Sequence, residues 1–155
     1  MGARSGQIEF LKTRPDLKIR LQATPSENLE RWLELQTMTS ACVGLLAQHI
    51  LRRFPDVPAN EAMEYAAALL TQPMKNFSRD VVRSDLYYNW RCANRGSVPK
   101  DLIDDMYQVL NAVYCDAYAT REEGQAEYAP LLLTSKTKVA IYSHGPVDQW
   151  IENLC

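Results

Sequence analysis

The chain has 155 residues, a net charge of −2 and a hydrophobic fraction of 46%. A single domain of this length buries roughly 68–70% of the surface of its unfolded chain, so it can build a core without disulfides or a structural metal. The near-neutral charge argues against a strongly basic nucleic-acid-binding protein, because phosphate binding depends on clustered Lys and Arg. An enzyme that touches nucleic acid only locally remains compatible with it.

The cysteines and histidines are too few and too widely spaced for a zinc-binding motif. The four cysteines are Cys42, Cys92, Cys115 and Cys155. Such sparse use is typical of reduced thiols in the cytoplasm. No apolar run approaches the roughly 20 residues that a membrane span requires, and no apolar stretch of a signal peptide follows the N-terminus. The sequence therefore predicts a cytoplasmic protein with no membrane partner.

The first third of the chain predicts helices and one strand. Residues 5–13 favour a short helix, and residues 17–21 alternate apolar and polar side chains as a half-buried strand does. Thr24 can cap a following helix, with Glu27 completing a capping box. The apolar spacing beyond it predicts one bent helix or two helices that meet near residues 37–40.

The middle of the chain predicts three further helices. One begins with Asn60 as its cap, a second begins at Ser78 or Asp80, and a third runs from Pro99 to Val113. Their apolar residues recur at helical spacing, as they do in helices that pack one face against a core. This part of the chain contains no internal repeat, low-complexity tract or linker that would divide it into domains.

The last third predicts a parallel crossover. Residues 114–120 have the aromatic content and length of a strand, residues 122–132 favour a helix that Pro130 kinks or shortens, and residues 137–142 favour a second strand. A turn and a closing helix follow over residues 145–154. A strand, a covering helix and a second strand indicate a βαβ unit.

Acidic residues near this crossover are the candidate functional residues. Asp101, Asp104 and Asp105 lie in the first turns of the helix before the first strand, and Glu122 and Glu123 follow that strand. Active sites of open parallel sheets form outside the carboxyl ends of the strands. Carboxylates that converge there can hold Mg²⁺ or Mn²⁺. The alternative is that these acids only offset the positive ends of helix dipoles.

The stretch from Asp101 to Glu122, DLIDDMYQVLNAVYCDAYATRE, resembles the C-terminal half of PIN-like nuclease domains. In outline, that family has an acidic helix start, an apolar helix, a tyrosine–aspartate step into a strand, and then threonine, any residue and an acid. The resemblance implies Asp104 as the metal-binding acid of the helix, with Asp105 as the near alternative. It implies Glu122 as the terminal acid, where the family usually has Asp, and Thr120 as the hydroxyl beside the metal.

The N-terminal half matches the family less fully. The family opens with a strand that ends in an essential Asp, and no such strand is found here. The elements over residues 5–34 resemble the helix, strand and second helix that come after that strand in the family, which implies Glu30, or else Glu27, as the second acid. Either the residues of the first strand are truncated or the domain has lost its first acid. Residues 41–96 form a helical middle that is longer than the family pattern.

The resemblance implies one α/β domain over residues 1–155, with a PIN-like three-layer α/β/α architecture, a small parallel sheet and a helix-rich middle. It implies a metal-dependent, toxin-like ribonuclease that hydrolyses phosphodiester bonds, with Mg²⁺ or Mn²⁺ activating water. RNA is the implied substrate, and a protein inhibitor or a homodimer the implied protein partner. The implied metal ligands are Asp104, Asp105, Glu122 and Glu30, with Asp104, Glu122 and Thr120 as the catalytic residues.

Two other functions stay open at this point. One is a catalytically inactive PIN-like interaction module, which the missing first Asp favours. The other is a helical scaffold whose acids only cap helices, and it predicts no sheet between residues 114–120 and 139–142. Arg79 and Arg83 share a helical face that would suit either RNA phosphates or solvent. Tyr87, Tyr88 and Trp90 suit base stacking or, more often, core packing.

Overall fold

A computed structural model describes residues 9, 11–71, 77–94, 101–133 and 137–141. Within these ranges, no helix combines the length and the apolar character that crossing a membrane demands. The turn and closing helix predicted over residues 145–154 lie outside the described residues, as does the start of the first predicted helix.

The described chain is mainly helical and contains one small sheet. In chain order, its helices and strands are α1 (Pro15–Gln22), α2 (Leu29–Thr37), α3 (Ser40–Arg53), α4 (Ala59–Thr71), α5 (Phe77–Asn94), α6 (Leu102–Asn111), β1 (Ala117–Thr120), α7 (Glu123–Leu132) and β2 (Lys138–Ile141). Two 3₁₀ turns, Ser26–Asn28 and Ala112–Tyr114, lead into α2 and β1.

The strand predicted over residues 17–21 is wrong, because these residues lie inside α1. Pro15 is the first residue of α1, where its fixed φ angle suits a helix and its missing N–H has no partner to lose. The alternation did not mark a buried face: Leu21 is buried, but Ile19 is 66% exposed. α1 packs against α5, and the side-chain amide of Gln22 donates to the carbonyl of Ala93.

The region after α1 forms two helices, which confirms one of the two predicted arrangements. α2 ends at Thr37 and α3 begins at Ser40. Thr24 does not cap α2, since its hydroxyl donates to the carbonyl of Arg20 at 3.4 Å and a 3₁₀ turn comes first. α4 begins earlier than predicted, at Ala59, so Asn60 lies inside its first turn and is not its cap.

The predicted parallel crossover is confirmed. β1 and β2 pair in parallel, with Ala117 opposite Lys138 and Thr120 opposite Ile141. α7 connects them and contacts both strands. The described chain is therefore a helix-rich α/β fold, and its sheet argues against the purely helical scaffold. The three-layer PIN-like architecture stays a prediction.

The main core gathers side chains from α1, α2, α5, α6 and α7. Its most buried members include Leu33, Val109 and Leu132, each 0% exposed. Tyr87 and Trp90 also belong to it, so core packing, not base stacking, is their role. The indole N–H of Trp90 is satisfied within the core, because it donates to the carbonyl of Thr24 at 3.0 Å.

A second, smaller core lies between α3 and α4. It consists of Ala47, Ala62 and Ala66, with larger apolar side chains such as Leu46 and Ile50 packed around it. Small side chains at a helix–helix contact allow the two helix axes to come close together. This alanine core therefore sets how far α3 stands from α4.

Arg83 is buried in the structure, so a solvated helix face is wrong for this residue. Its Nε and Nη2 atoms donate to the carbonyl oxygen of Leu131, at 2.9 and 2.7 Å. That carbonyl lies in the last turn of α7, beyond Pro130, where carbonyl groups have no partner within the helix. A guanidinium at this end also suits the negative end of the helix dipole. Arg83 thus joins α5 to the end of α7.

Candidate functional site

The carboxyl end of β1 carries a hydrogen-bonded group of polar side chains. Tyr118 and Thr120 are two residues apart, so they project from the same face of the strand. Both hydroxyls donate to Oε1 of Gln125 in α7, each at 2.7 Å. Thr120 and Gln125 are buried. One amide oxygen therefore ties two side chains of β1 to the helix that follows it.

Asp105 brings a negative charge to this group from α6. The pKa of Tyr128 is raised by burial first and then by the charge of Asp105. The pKa of Tyr118 is raised mainly by burial, and Asp105 adds to this increase. Asp105 is half-buried, whereas Asp104 is exposed. Asp105 is therefore the acid of α6 whose charge reaches the strand. We call Asp105, Tyr118, Thr120, Gln125 and Tyr128 the edge cluster.

Thr120 organises the turn from β1 into α7. Besides donating to Gln125, its Oγ1 accepts the backbone N–H of Glu122 at 3.0 Å. A hydroxyl that accepts an N–H two residues ahead is a common way to fix a turn. The side chain of Glu122 is exposed, one residue before α7 begins. The hydroxyl thus positions Gln125 and the turn, whereas the resemblance implied that it lies beside a metal.

Glu30 acts on a different part of the molecule. It is exposed on α2, and its charge raises the pKa of Arg83 on α5. Burial, followed by the charge of Arg79, has the larger and opposite effect on that pKa. On the same helix as Glu30, Glu34 Oε1 lies 3.8 Å from Arg79 Nη2. Glu30 therefore belongs to a group of charges shared by α2 and α5.

Two of the four predicted metal ligands are associated with β1. Glu122 follows the strand directly and has an exposed side chain, and the charge of Asp105 acts on Tyr118. Asp104 is exposed, and the charge of Glu30 acts on Arg83 of α5. Among the described residues, no three or more His, Cys, Asp and Glu side chains lie close enough together to hold a metal ion. Of these four acids, Asp105 is the half-buried one.

A positive charge lies on the other side of Tyr128. Arg91 is only 8% exposed, and its guanidinium carbon lies 5.9 Å from the ring centroid of Tyr87. The rings of Tyr87 and Tyr128 are 5.6 Å apart. Arg91 Nη1 lies 3.7 Å from Glu127 Oε1, and its charge lowers the pKa of Tyr128. The edge cluster is thus bounded by an acid on α6 and a base on α5.

Gln125 and Tyr128 are not among the candidate residues that the sequence predicts. Their spacing of three residues places them on one face of α7, which also carries the buried Ala129 and Leu132. The sequence does carry one signal, which is that Gln125 is a polar residue on the inward face of the helix that follows Thr120. The role of Gln125 depends on the hydroxyls of Tyr118 and Thr120, which contact it only in the folded chain.

We expect Tyr128→Phe to reduce the loss of stability at alkaline pH. The folded chain keeps the Tyr128 proton above the usual pKa of 10.0, whereas the unfolded chain releases it. The resulting stabilisation is present below pH 10 and is lost as the pH rises further, by about 1.4 kcal/mol per pH unit for one tyrosine. Urea unfolding between pH 9 and pH 11.5 measures the slope. The exposed Tyr107, changed to Phe, is the control and should leave the slope unchanged; an unchanged slope in Tyr128→Phe contradicts the assignment.

Comparison with known proteins adds no relative. The chain matches no protein-family model, no curated protein and no solved structure. The resemblance to PIN-like nucleases therefore stays a prediction from the sequence.

Proposed function

We propose that the edge cluster is the active site of a PIN-like nuclease domain that hydrolyses RNA with the help of Mg²⁺ or Mn²⁺. The position of Asp105 supports this proposal most directly. Its charge acts on Tyr118, which lies on the parallel strand β1, and active sites of open sheets form at the carboxyl ends of such strands. No Lys or Arg of the described chain forms an ion pair with it. An acidic helix followed by a β1–α7–β2 crossover is also the order of elements that the resemblance implies.

The donors present suit a hydrated cation with few protein ligands. Mg²⁺ usually keeps several waters and takes one or two carboxylates together with substrate phosphates. Asp105 supplies a half-buried carboxylate, and Glu122 supplies an exposed one just after the strand. Both are hard oxygen donors of the kind that Mg²⁺ and Mn²⁺ prefer. When bound, the cation would activate a water molecule and offset charge on the phosphoryl group. In this assignment Asp105 takes the role predicted for Asp104.

The other side chains of the edge cluster hold the site in shape. Gln125 fixes the hydroxyls of Tyr118 and Thr120, so the end of β1 has a defined geometry. Tyr128 is neutral at physiological pH, as tyrosines ordinarily are, and its raised pKa extends this to alkaline pH, so Asp105 faces no second negative charge there. Arg91 lies next to the ring of Tyr87, and the planar guanidinium of an arginine can donate two hydrogen bonds to one phosphate group.

A PIN-like interaction module without catalysis is the second candidate. Two observations favour it: Glu30 acts on Arg83, and the hydroxyl of Thr120 already donates to Gln125. In that case the fold was kept while the set of metal ligands was lost. The two candidates differ in how the chain responds to a divalent cation.

Binding of Mn²⁺ tests the proposal without relying on activity. Calorimetry should detect Mn²⁺ binding to the wild type, and Mn²⁺ at about 100 times its Kd should stabilise the fold by about 2.7 kcal/mol. Asp105→Asn should lose the stabilisation, and the matched variant Asp104→Asn should keep it. Unfolding without metal verifies that both variants fold. A wild type that ignores Mn²⁺ would support the inactive module.

A further inference from the structure

The outer face of α5 is flanked by two hollows that together form a groove. One has a volume of about 230 Å³ and lies between α5 and α6, where Ile103 and Tyr107 line it. The other has a volume of about 250 Å³ and lies between α3 and α5, where Leu45 lines it. Val81 and Asp85 of α5 line both hollows. We call this surface the α5 groove.

The walls of the α5 groove expose large apolar side chains. Leu45 is 57% exposed, Tyr107 is 55% exposed, and Phe77, at the start of α5, is 37% exposed. Contiguous apolar surface on a folded domain commonly marks a place where another molecule binds. These residues come from three different helices, so the apolar surface is created by the fold and does not follow from any one helix.

Asp85 places one carboxylate in the middle of this apolar surface. Its side chain is exposed at the groove, burial of part of it raises its pKa, and the charge of His49 lowers that pKa. Within the part of the chain that the structure describes, no Lys or Arg forms an ion pair with it. Cys42 lies within range of its charge, but Cys42, His49 and Asp85 do not form a metal-binding group.

A partner that covers the groove must therefore satisfy Asp85. Enclosing a carboxylate under a purely apolar surface is unfavourable, because the charge loses its water and gains no partner. A positively charged side chain on the partner removes this penalty. Partners without such a side chain bind less tightly, so the charge makes binding selective. The floor and walls of the groove are helices, and an amphipathic helix is the usual occupant of such a groove.

We propose that the α5 groove binds an amphipathic helix of a partner protein that carries Lys or Arg between two apolar side chains. The two hollows lie on either side of Val81 and Asp85, and residues i and i+7 lie on one face of a helix, about 10.5 Å apart. A helix laid across α5 can thus place apolar residues i and i+7 in the two hollows. Residue i+3 or i+4 then lies over Asp85, and this is where the cation belongs.

A display selection tests this pattern with the full chain as bait. The probe is a library of helical peptides randomised on one face, and enriched peptides should carry Lys or Arg three or four residues after an apolar anchor. Fluorescence anisotropy should then show that Asp85→Asn weakens binding of these peptides by tenfold or more. Asp56→Asn, an exposed acid in the α3–α4 loop, should bind them as the wild type does.

Three results would overturn the proposal. They are a selection that enriches nothing, enriched peptides without a basic residue at the stated position, and equal binding to Asp85→Asn. The groove could instead bind a second copy of this chain, and sedimentation equilibrium tests this. If the wild type self-associates and Asp85→Asn does not, the occupant is a second copy and not a partner protein. Thermal unfolding verifies that Asp85→Asn is folded, which is expected because the change removes a charge from apolar surroundings. None of these results depends on nuclease activity.

Discussion

Asp105→Asn is expected to abolish Mn²⁺-dependent cleavage of single-stranded RNA, while Asp104→Asn is expected to retain it. Asp105 is half-buried and its charge reaches Tyr118 and Tyr128 at the strand edge, whereas Asp104 is exposed. The amide keeps the shape of the carboxylate but loses the charge that would hold a cation. A loss of roughly 10³-fold in rate corresponds to about 4 kcal/mol of transition-state stabilisation. Cleavage of a fluorescently labelled RNA, with and without a chelator, measures the effect.

Comparing Asp104→Asn with Asp105→Asn shows which of the two adjacent acids the cleavage requires. They share one turn of α6 and undergo the same chemical change, and urea unfolding of both variants shows whether either has lost its fold. Full activity in Asp105→Asn would refute the assignment of the site. If Asp104→Asn alone loses activity, the metal-binding acid is Asp104, as the resemblance implies. If the wild type cleaves no RNA and does not bind Mn²⁺, the inactive interaction module is the better description.

Arg83→Ala is expected to lower the free energy of unfolding by about 3–5 kcal/mol, the range for breaking a buried charged contact. The substitution removes both donors to the carbonyl of Leu131 and a positive charge beside Asp80, which is 0% exposed. The end of α7 then loses its side-chain partner inside the core, where an unsatisfied carbonyl is unfavourable. Urea unfolding at neutral pH measures the difference.

Glu34→Gln is the matched control on the same surface. Its carboxylate is 65% exposed and lies 3.8 Å from the Nη2 atom of Arg79, so removing its charge should change stability by less than about 1 kcal/mol. Arg83→Lys separates charge from geometry, because lysine keeps the charge but cannot donate two hydrogen bonds in a fixed fork. A loss below about 1 kcal/mol in Arg83→Ala would show that the contact contributes little.

The elements that the sequence predicted correctly are those whose local pattern is decisive. The apolar face of α6 was predicted from its spacing, and Leu102, Met106, Val109 and Leu110 are indeed buried. The β1–α7–β2 crossover was predicted because a strand, a helix and a strand follow one another with short connections. Residues 17–21 show the limit of this approach, since Leu17 and Leu21 are four residues apart and share one side of a helix, while Ile19 points to solvent.

The strand edge and the acids near it could be predicted from the sequence, but not which acid of α6 is half-buried. Successive residues of an α-helix point about 100° apart, so a one-residue error in alignment exchanges an acid that faces the sheet for one that faces solvent. Asp104 and Asp105 differ in this way. The roles of Gln125 and Arg83 depend on partners 5 and 48 residues away, at Thr120 and Leu131. These contacts form only when the elements pack together, so no local sequence pattern predicts them.

The alanine core between α3 and α4 has a consequence for the α5 groove. α3 carries Leu45 on the side that lines the groove and Ala47 on the side that packs against α4. A larger side chain at Ala62 or Ala66 would push α3 away from α4 and towards the opening. The width of the α5 groove therefore depends on the methyl groups of Ala62 and Ala66, which lie behind its wall and do not line it.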